Sequence, residues 1–429
     1  MACNRLVATM KRMGLLNLIK KIKTAILGVF SERRLSIKAE ISTVFQSVVP
    51  IGERGISELK FELIKLANSS LLFIEDHSAS TLDENSDARE IIATDGSGML
   101  LYVSHDLGES WSRIYENAQW DSKIRAGFSL AGGSRLIRTY TGRMYHFDAS
   151  GKLVSSSLTG AWHWHGSQGI GESATGVVMY AEYAPLRDED GVQQLSVWRY
   201  RPHDYDREWQ RVLTLPAAIR PPQGEIRHFH VCRPNPTNPD QWILASGDKG
   251  AHCRLWFSED DGDTWSEAQL PSPIFSNAPE GKYPFILRFT QFSALDNDLI
   301  WGTDDTAHAG RAVLVRMSMN SGQPTFELEG WLGKNCIRNI ASYENRVFLL
   351  LSESKHDPSS ADCVLYDAAT KRITSLLLPN LTQSKSSVTD SLGSEKLVNG
   401  VGFFPALEAV LKDMNTRGIF RVSIKEFTQ

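Results

Sequence analysis

His228 and His230 stand two residues apart in the run Arg227-His228-Phe229-His230-Val231. In a strand, that spacing turns both imidazoles to one side. Imidazole titrates near neutrality, so the pair suits proton abstraction or donation. It also offers two nitrogen ligands to a divalent metal, with a loop carboxylate as third ligand and one position open. Carboxylates for either chemistry lie in two loops: Asp248, followed by Lys249, in SGDKGAHC, and Asp304 with Asp305 in WGTDDTAHAG. Groups able to clamp an anion stand in other short apolar runs: Arg288 and Gln291 in LRFTQF, and Arg338 in CIRNI. His163 and His165 alternate with tryptophans in WHWHGSQGIGES, which also holds Glu172. No H-E-x-x-H, Walker A, G-x-S-x-G or dinucleotide fingerprint occurs, so none of those site types is expected.

These residues must be carried by strands. Two octapeptides set the phase: Ser104-His105-Asp106-Leu107-Gly108-Glu109-Ser110-Trp111 and Ser258-Glu259-Asp260-Asp261-Gly262-Asp263-Thr264-Trp265. Both read S-x-D-x-G-x-[ST]-W. Asp106 and Asp260 can accept hydrogen bonds from their own turn. Ser104 and Ser258 can close the loop, and Gly108 and Gly262 allow positive φ. Trp111 and Trp265 start a strand and carry large rings for burial between sheets. These aspartates are therefore read as turn staples rather than catalytic acids.

Degenerate copies of the turn fall near Asp148, Asp204, Ser321 and Asp367, with a last hairpin expected around residue 423. A step of about 50 residues suits a four-stranded propeller blade. Blade four then reads IRHFHV, QWILAS, CRLWFS and TWSEAQL; blade two reads AGFSL, RLIRTY, RMYHF and KLVSS. The expected fold is an all-β propeller over residues 46–429, with seven blades favoured over six. The ring is expected to close by pairing a strand near residues 60–75 with the last blade.

The octapeptides resemble the Asp-box repeats of sialidase-like β-propellers, and the degenerate copies extend the likeness over roughly residues 60–427. The resemblance implies that the innermost strand of each blade comes first and that the motif occupies the turn between third and fourth strands. The opposite rim then carries the starts of the first strands and the loops between second and third strands. His228, His230, Arg227, Asp248, Lys249, Asp304, Arg288, Gln291, Arg338, His163 and His165 all fall there by phase, as do Glu172 and Glu182. Members of this group include sialidases, other glycoside hydrolases, polysaccharide lyases and non-catalytic binding proteins. The Arg-Ile-Pro motif of sialidases is absent, so lyase or hydrolase chemistry is expected instead.

The chain has 429 residues, 41% of them apolar, and a formal charge of −4. That balance, with no basic stripe through the body, excludes a general nucleic-acid binder. Five scattered cysteines without metal-type spacing point to a reducing compartment rather than a disulfide framework. Residues 1–38 are different: Arg5, Lys11, Arg12, Lys20, Lys21, Lys23, Arg33, Arg34 and Lys38 face a single acid, Glu32. Leu15, Leu16, Ile19, Ile22, Ile26, Val29 and Phe30 recur at helical spacing. A basic amphipathic helix is expected within residues 1–45, able to lie on an anionic membrane surface or to dock on protein. The expected location is the cytoplasm or the cytoplasmic membrane face, with secretion disfavoured.

Two functions follow. The first is a carbohydrate-active enzyme on an acidic glycan or exopolysaccharide, with Arg227, Arg288, Gln291, His163, His165, Lys249 and Arg338 gripping the substrate. In a lyase, His228 or His230 removes a proton and arginine or a divalent metal neutralises the enolate. In a hydrolase, two carboxylates drawn from Asp248, Asp304, Asp305 and Glu172 act across the bond. The second is a non-catalytic propeller that binds glycan or protein during polysaccharide assembly.

Overall fold

The computed structural model describes residues 36–428 apart from 52–54, 67–70, 74–76, 79–90, 96, 107–108, 116–119, 161–167, 184–192, 204–207, 218–225, 248–252, 271–287, 304–312, 321–322, 333–335, 344, 353–362, 377–380, 384–400, 407–408 and 412–417. The fold is a β-propeller of four-stranded antiparallel blades, arranged in chain order. Blade three is Ile170–Glu172, Val178–Ala181, Gln193–Tyr200 and Gln210–Ala217. Blade four is Phe229–Asn235, Asn238–Ser246, Arg254–Ser258 and Ser266–Glu267. Blade five is Phe289–Leu295, Asp298–Thr303, Val313–Asn320 and Gln323–Trp331; blade six is Cys336–Tyr343, Arg346–Ser352, Cys363–Asp367 and Arg372–Leu376. Blade two runs Ile124–Ser129, Arg135–Thr139, Arg143–Phe147 and Leu153–Leu158, with His77–Ser78 added in parallel to its first strand.

Blade one (Leu71–Phe73, Ile91–Asp95, Leu101–Ser104 and Ser110–Ile114) is part of a longer sheet. Beyond Ser110–Ile114 that sheet continues through Ser36–Ile51, Gly55–Leu66, Gly418–Thr428 and Val401–Ala406. The chain's two ends thus pair with each other, Gly55–Leu66 against Gly418–Thr428, close to the closure expected near residues 60–75. The hairpin expected around residue 423 is instead one strand, Gly418–Thr428, flanked by two partners distant in sequence. Ser36–Ile51 is also a strand, so residues 36–45 do not belong to a helical segment; residues 1–35 lie outside the described residues.

The inner strands of blades two to five are buried on both faces, which is why their sequences read as continuous apolar runs, whereas fourth strands such as Leu153–Leu158 are partly or fully exposed. In Asn238–Ser246, Trp242 and Leu244 join the core shared with blade three, while Ile243 and Ala245 join the core shared with blade five. This is the two-residue period of a strand serving two interfaces. Leu299 with Trp301, and Ile300, divide in the same way between the cores toward blades four and six. Trp111, Trp242 and Trp301 are fully buried wedges between sheets.

Asp106, Asp148 and Asp260 fall between the third and fourth strands of their blades and Asp367 ends a third strand, while Asp204 and Ser321 lie outside the described residues. The two octapeptides bond almost atom for atom. Asp106 Oδ1 accepts from Ser104 Oγ at 2.9 Å and Ser110 N at 2.8 Å, and Oδ2 accepts from Ser110 Oγ at 2.5 Å. Asp260 Oδ1 accepts from Ser258 Oγ at 2.8 Å and Thr264 N at 2.8 Å, and Oδ2 accepts from Thr264 Oγ1 at 2.6 Å. Burial raises both carboxyl pKa values, but the hydrogen bonds outweigh it and hold them below the usual aspartate value. Gly262 has φ +86°, and its N–H donates to Ser258 Oγ at 2.8 Å; Gly108 lies outside the described residues. Trp111 is buried, whereas Trp265 packs half-buried at the edge of the core between blades three and four.

Candidate functional site

First strands of blades three to six touch one another in turn, so they line the axis. In an antiparallel blade, the start of the first strand and the second-to-third loop share one rim. The octapeptide turns occupy the other.

On the first of these rims, three aromatic groups follow one another in depth, each ring tilted against the next. The Tyr183 ring lies 4.2 Å from that of His228, and His228 lies 4.8 Å from His230. Tyr183 is half-buried, His228 is 3% exposed and His230 1% exposed. The two imidazoles do share a side, as their spacing predicts. A bulge contributes: Phe229 pairs with Ser246 and Val231 with Ala245, leaving His230 as the extra residue. Bulges of this kind re-aim side chains beside functional sites.

The environment fixes the chemistry of His230. Its Nδ1 lies 3.1 Å from the Phe289 carbonyl, which can only accept. Nδ1 therefore carries the proton, and the lone pair of the neutral ring sits on Nε2. Blade five thus sets the tautomer of a blade-four histidine.

Arg288 reaches the same place. The Gly247 N–H points at the His228 carbonyl at 3.4 Å, and a Cβ on Gly247 would stand 3.5 Å from Arg288 Cγ and 3.0 Å from Cys253 Sγ. The distance to Arg288 is an ordinary contact and places the arginine stem beside the histidine backbone; the tight neighbour of position 247 is Cys253. Arg227 and Arg288 are both half-buried, a position in which a guanidinium can keep its charge and meet an anion. Gln291 is buried within Phe289–Leu295.

Glu182 and Tyr183 follow directly on the second strand of blade three, and Phe229 N points at the Glu182 carbonyl at 3.4 Å. The Glu182 carboxylate turns away from the histidines: Oε2 accepts from Ser196 N at 2.8 Å. Burial raises its pKa, against lowering by the Ser196 N–H, Trp198 and the charges of Arg138 and Arg211. Arg138, 2% exposed, donates to Thr159 Oγ1 and Gly160 O at 2.8 Å and to Tyr180 Oη at 3.2 Å. It is a strut between blades two and three.

Glu172 departs from its expected place. It ends a strand of only three residues, Ile170–Glu172, and so sits on the octapeptide rim, where its Oε2 accepts from Ala131 N at 2.6 Å. It leaves the pool of acids for the histidine rim. The side chain of Arg338, which stands in the strand Cys336–Tyr343, is not described, and His163, His165, Asp248, Lys249, Asp304 and Asp305 lie outside the described residues. Among the described residues, no group of three or more histidine, cysteine or acidic side chains is placed to hold a metal; His228 and His230 supply two candidate ligands. Tyr183 carries no signal in the sequence, because its link to His228 runs between blades.

No protein-family model and no curated protein matches the chain. Among solved structures, an oligogalacturonate lyase from Vibrio parahaemolyticus superposes with a TM-score of 0.56 at 7% identity, covering 90% of this chain and 98% of that one. The β-propeller domain of Cps50 (Swd1) from Myceliophteria thermophila gives 0.48 at 8% identity, over 90% of this chain and 98% of that one. BamB from Moraxella catarrhalis gives 0.44 at 12% identity, over 90% and 99%. At such identities the likeness is one of architecture: the chain is a β-propeller.

Proposed function

We propose that this protein is a seven-bladed, sialidase-like propeller that acts on an acidic glycan at its histidine rim, with lyase-type chemistry. The terminal strands Ser36–Ile51, Gly55–Leu66, Val401–Ala406 and Gly418–Thr428 make the seventh blade. The observation that carries the reading is the Tyr183–His228–His230 series with its locked His230 tautomer and the Arg288 stem alongside. An architecture shared with an oligogalacturonate lyase is compatible with it.

His228, nearer the half-buried Tyr183, is the base, and His230 positions it from below. His228 takes the proton from the carbon next to the uronate carboxylate. The C–H electron pair then forms a C=C bond as the glycosidic C–O bond on the neighbouring carbon breaks, and the proton taken by His228 passes, directly or through water, to the leaving oxygen. Arg227 and Arg288 hold the carboxylate through charge-assisted bonds and stabilise the enolate as charge moves onto it. In the alternative arrangement, a divalent cation held by His228 and His230 with Asp248 or Asp304 would supply that neutralisation, and a group other than these histidines would then be the base, because a ligated imidazole has no free lone pair.

The test is turnover on a panel of uronate- and nonulosonate-containing polysaccharides, following both unsaturated-product absorbance and reducing ends. Unsaturated product that disappears in His228→Ala supports the lyase. Reducing ends without unsaturation point to hydrolysis, and binding without turnover, unchanged by His228→Ala, leaves a non-catalytic glycan binder. The basic pattern of residues 1–38 is proposed to seat the protein on an anionic membrane surface at the cytoplasmic side. Because Ser36–Lys38 pair with Ser110–Ser112, the informative truncation removes residues 1–35; unchanged binding to anionic liposomes would refute the anchor.

A further inference from the structure

The first strands of blades two, four, five and six carry the same irregularity. Register slips between Ile124 and Ala126, Phe229 and Val231, Phe289 and Gln291, and Ile337 and Asn339. The extra residues are Arg125, His230, Thr290 and Arg338. The residues two positions before these are Lys123, His228, Arg288 and Cys336, of which only Cys336 is itself paired. Lys123 and Arg125 are thus the blade-two counterparts of His228 and His230, on the same rim.

Around them the rim exposes two large apolar side chains on hydrogen-bonded loops. Tyr140, in the loop between second and third strands, is 57% exposed, and Met99, in the corresponding loop of blade one, is 38% exposed. The Tyr140 N–H donates to Lys123 O at 3.0 Å, and Arg125 Nη1 donates to Tyr140 Oη at 3.2 Å with the guanidinium 4.9 Å from the ring centroid. Asp121 ties the loop down, accepting from Thr139 Oγ1 at 2.7 Å, Thr141 Oγ1 at 2.6 Å and Arg143 Nε at 3.2 Å. On the blade-one side, Ile124 N donates to Gly98 O at 2.8 Å and Trp120 Nε1 to Met99 O at 3.1 Å. An exposed aromatic ring on a braced loop, flanked by two cations, is pre-organised to receive a flat, anionic ring.

We propose that Met99, Lys123, Arg125 and Tyr140 form a second subsite that takes a uronate unit of the same glycan chain. The C–H face of the sugar lies on Tyr140 and Met99, and the carboxylate meets Lys123 and Arg125. This rests on the acidic-glycan reading of the histidine rim, and it makes the substrate an oligomer rather than a single sugar.

The experiment is calorimetric titration of hexagalacturonate, with maltohexaose as the neutral control, into the full chain and its Lys123→Ala, Tyr140→Ala and Tyr140→Phe variants. Thermal midpoints of each are measured alongside. Lys123→Ala and Tyr140→Ala are expected to weaken hexagalacturonate binding about tenfold or more at unchanged midpoint, raising KM without lowering kcat where turnover is seen. Tyr140→Phe, which keeps the ring, should restore most of the affinity. Wild-type affinity in both alanine variants overturns the subsite and leaves the histidine rim untouched. Failure of the unaltered protein to bind hexagalacturonate, or equal binding of maltohexaose, overturns the acidic-glycan reading and the subsite with it.

Discussion

Blade four ends differently at its two rims. At the turn rim the three aspartates of the octapeptide are in structural use: Asp260 holds Ser258 and Thr264, and Asp261 accepts from Trp242 Nε1 at 3.0 Å and Thr175 Oγ1 at 2.9 Å. Asp263 pairs with Arg199 at 2.5 Å. At the other rim, the same blade offers two adjacent, mutually tilted imidazoles beside half-buried guanidiniums. The carboxylates that most resemble an active site by composition are used up, Asp260 within its own turn and Asp261 and Asp263 against blade three, and the chemistry is left to bases and cations. Local bonding of this kind closes a turn without help from the rest of the fold. The histidine rim exists only once blades three, four and five have come together.

The largest contrast should come from removing one group at each rim. His228→Ala is expected to lower turnover on an acidic glycan by roughly two to four orders of magnitude, the usual effect of losing a general base. Its unfolding midpoint should stay close to that of the unaltered protein. Asp260→Ala is expected to do the reverse, lowering stability by about 1–2 kcal/mol as a lost side-chain cap does, at unchanged turnover per folded molecule. Steady-state rates and urea unfolding on both variants check this. Equal losses of activity in the two would break the division between the rims.

A smaller effect, purely of stability, is expected at Gly262. Its φ of +86° is one that L residues avoid, and a Cβ there would lie 2.7 Å from Met179 Sδ in the neighbouring blade. Gly262→Ala should destabilise by about 2 kcal/mol, combining left-handed strain with displacement of the methionine. A urea midpoint equal to that of the unaltered protein would mean that the turn relaxes without loss.

The two rims also differ in how far sequence reveals them. The turn at Asp260 is complete within eight residues, so its bonds and the phase of every blade through Asp367 can be read from the linear pattern. The runs QWILAS and CRLWFS announce strands because both faces of each blade are buried. Closure by Gly418–Thr428 is harder to read, since its partners come from residues 55–66 and 401–406 and no local hairpin turn is needed. Glu172 falls on the rim opposite to its expected one for a physical reason: in a three-residue strand, two positions separate one rim from the other. Tyr183 over His228, the Phe289 carbonyl at His230 and the repeated bulges are contacts or registers between strands. No spacing within one segment encodes them.

Titration sharpens the comparison most finely. The Asp260 carboxyl is held below its ordinary value of 3.8 in the fold, so its ionised form stabilises the protein above that value, and the contribution fades as pH falls through the lowered one. Glu182, behind the histidine rim, goes the other way. Burial raises it above its ordinary 4.5, so the folded protein is penalised as pH rises from that value through the raised one. The stability of Asp260→Asn relative to the unaltered protein should therefore fall with rising pH, while that of Glu182→Gln should rise and then level off. Both slopes are expected to be modest, the first because Asp260 is exposed and screened. Urea midpoints measured from pH 3 to pH 8 on the two variants read them directly. Slopes of the same sign would show that Glu182 is held ionised by Arg138 and Arg211 despite its burial. The histidine rim would then depend on ion pairing for its backing just as the turn rim depends on its aspartate staples.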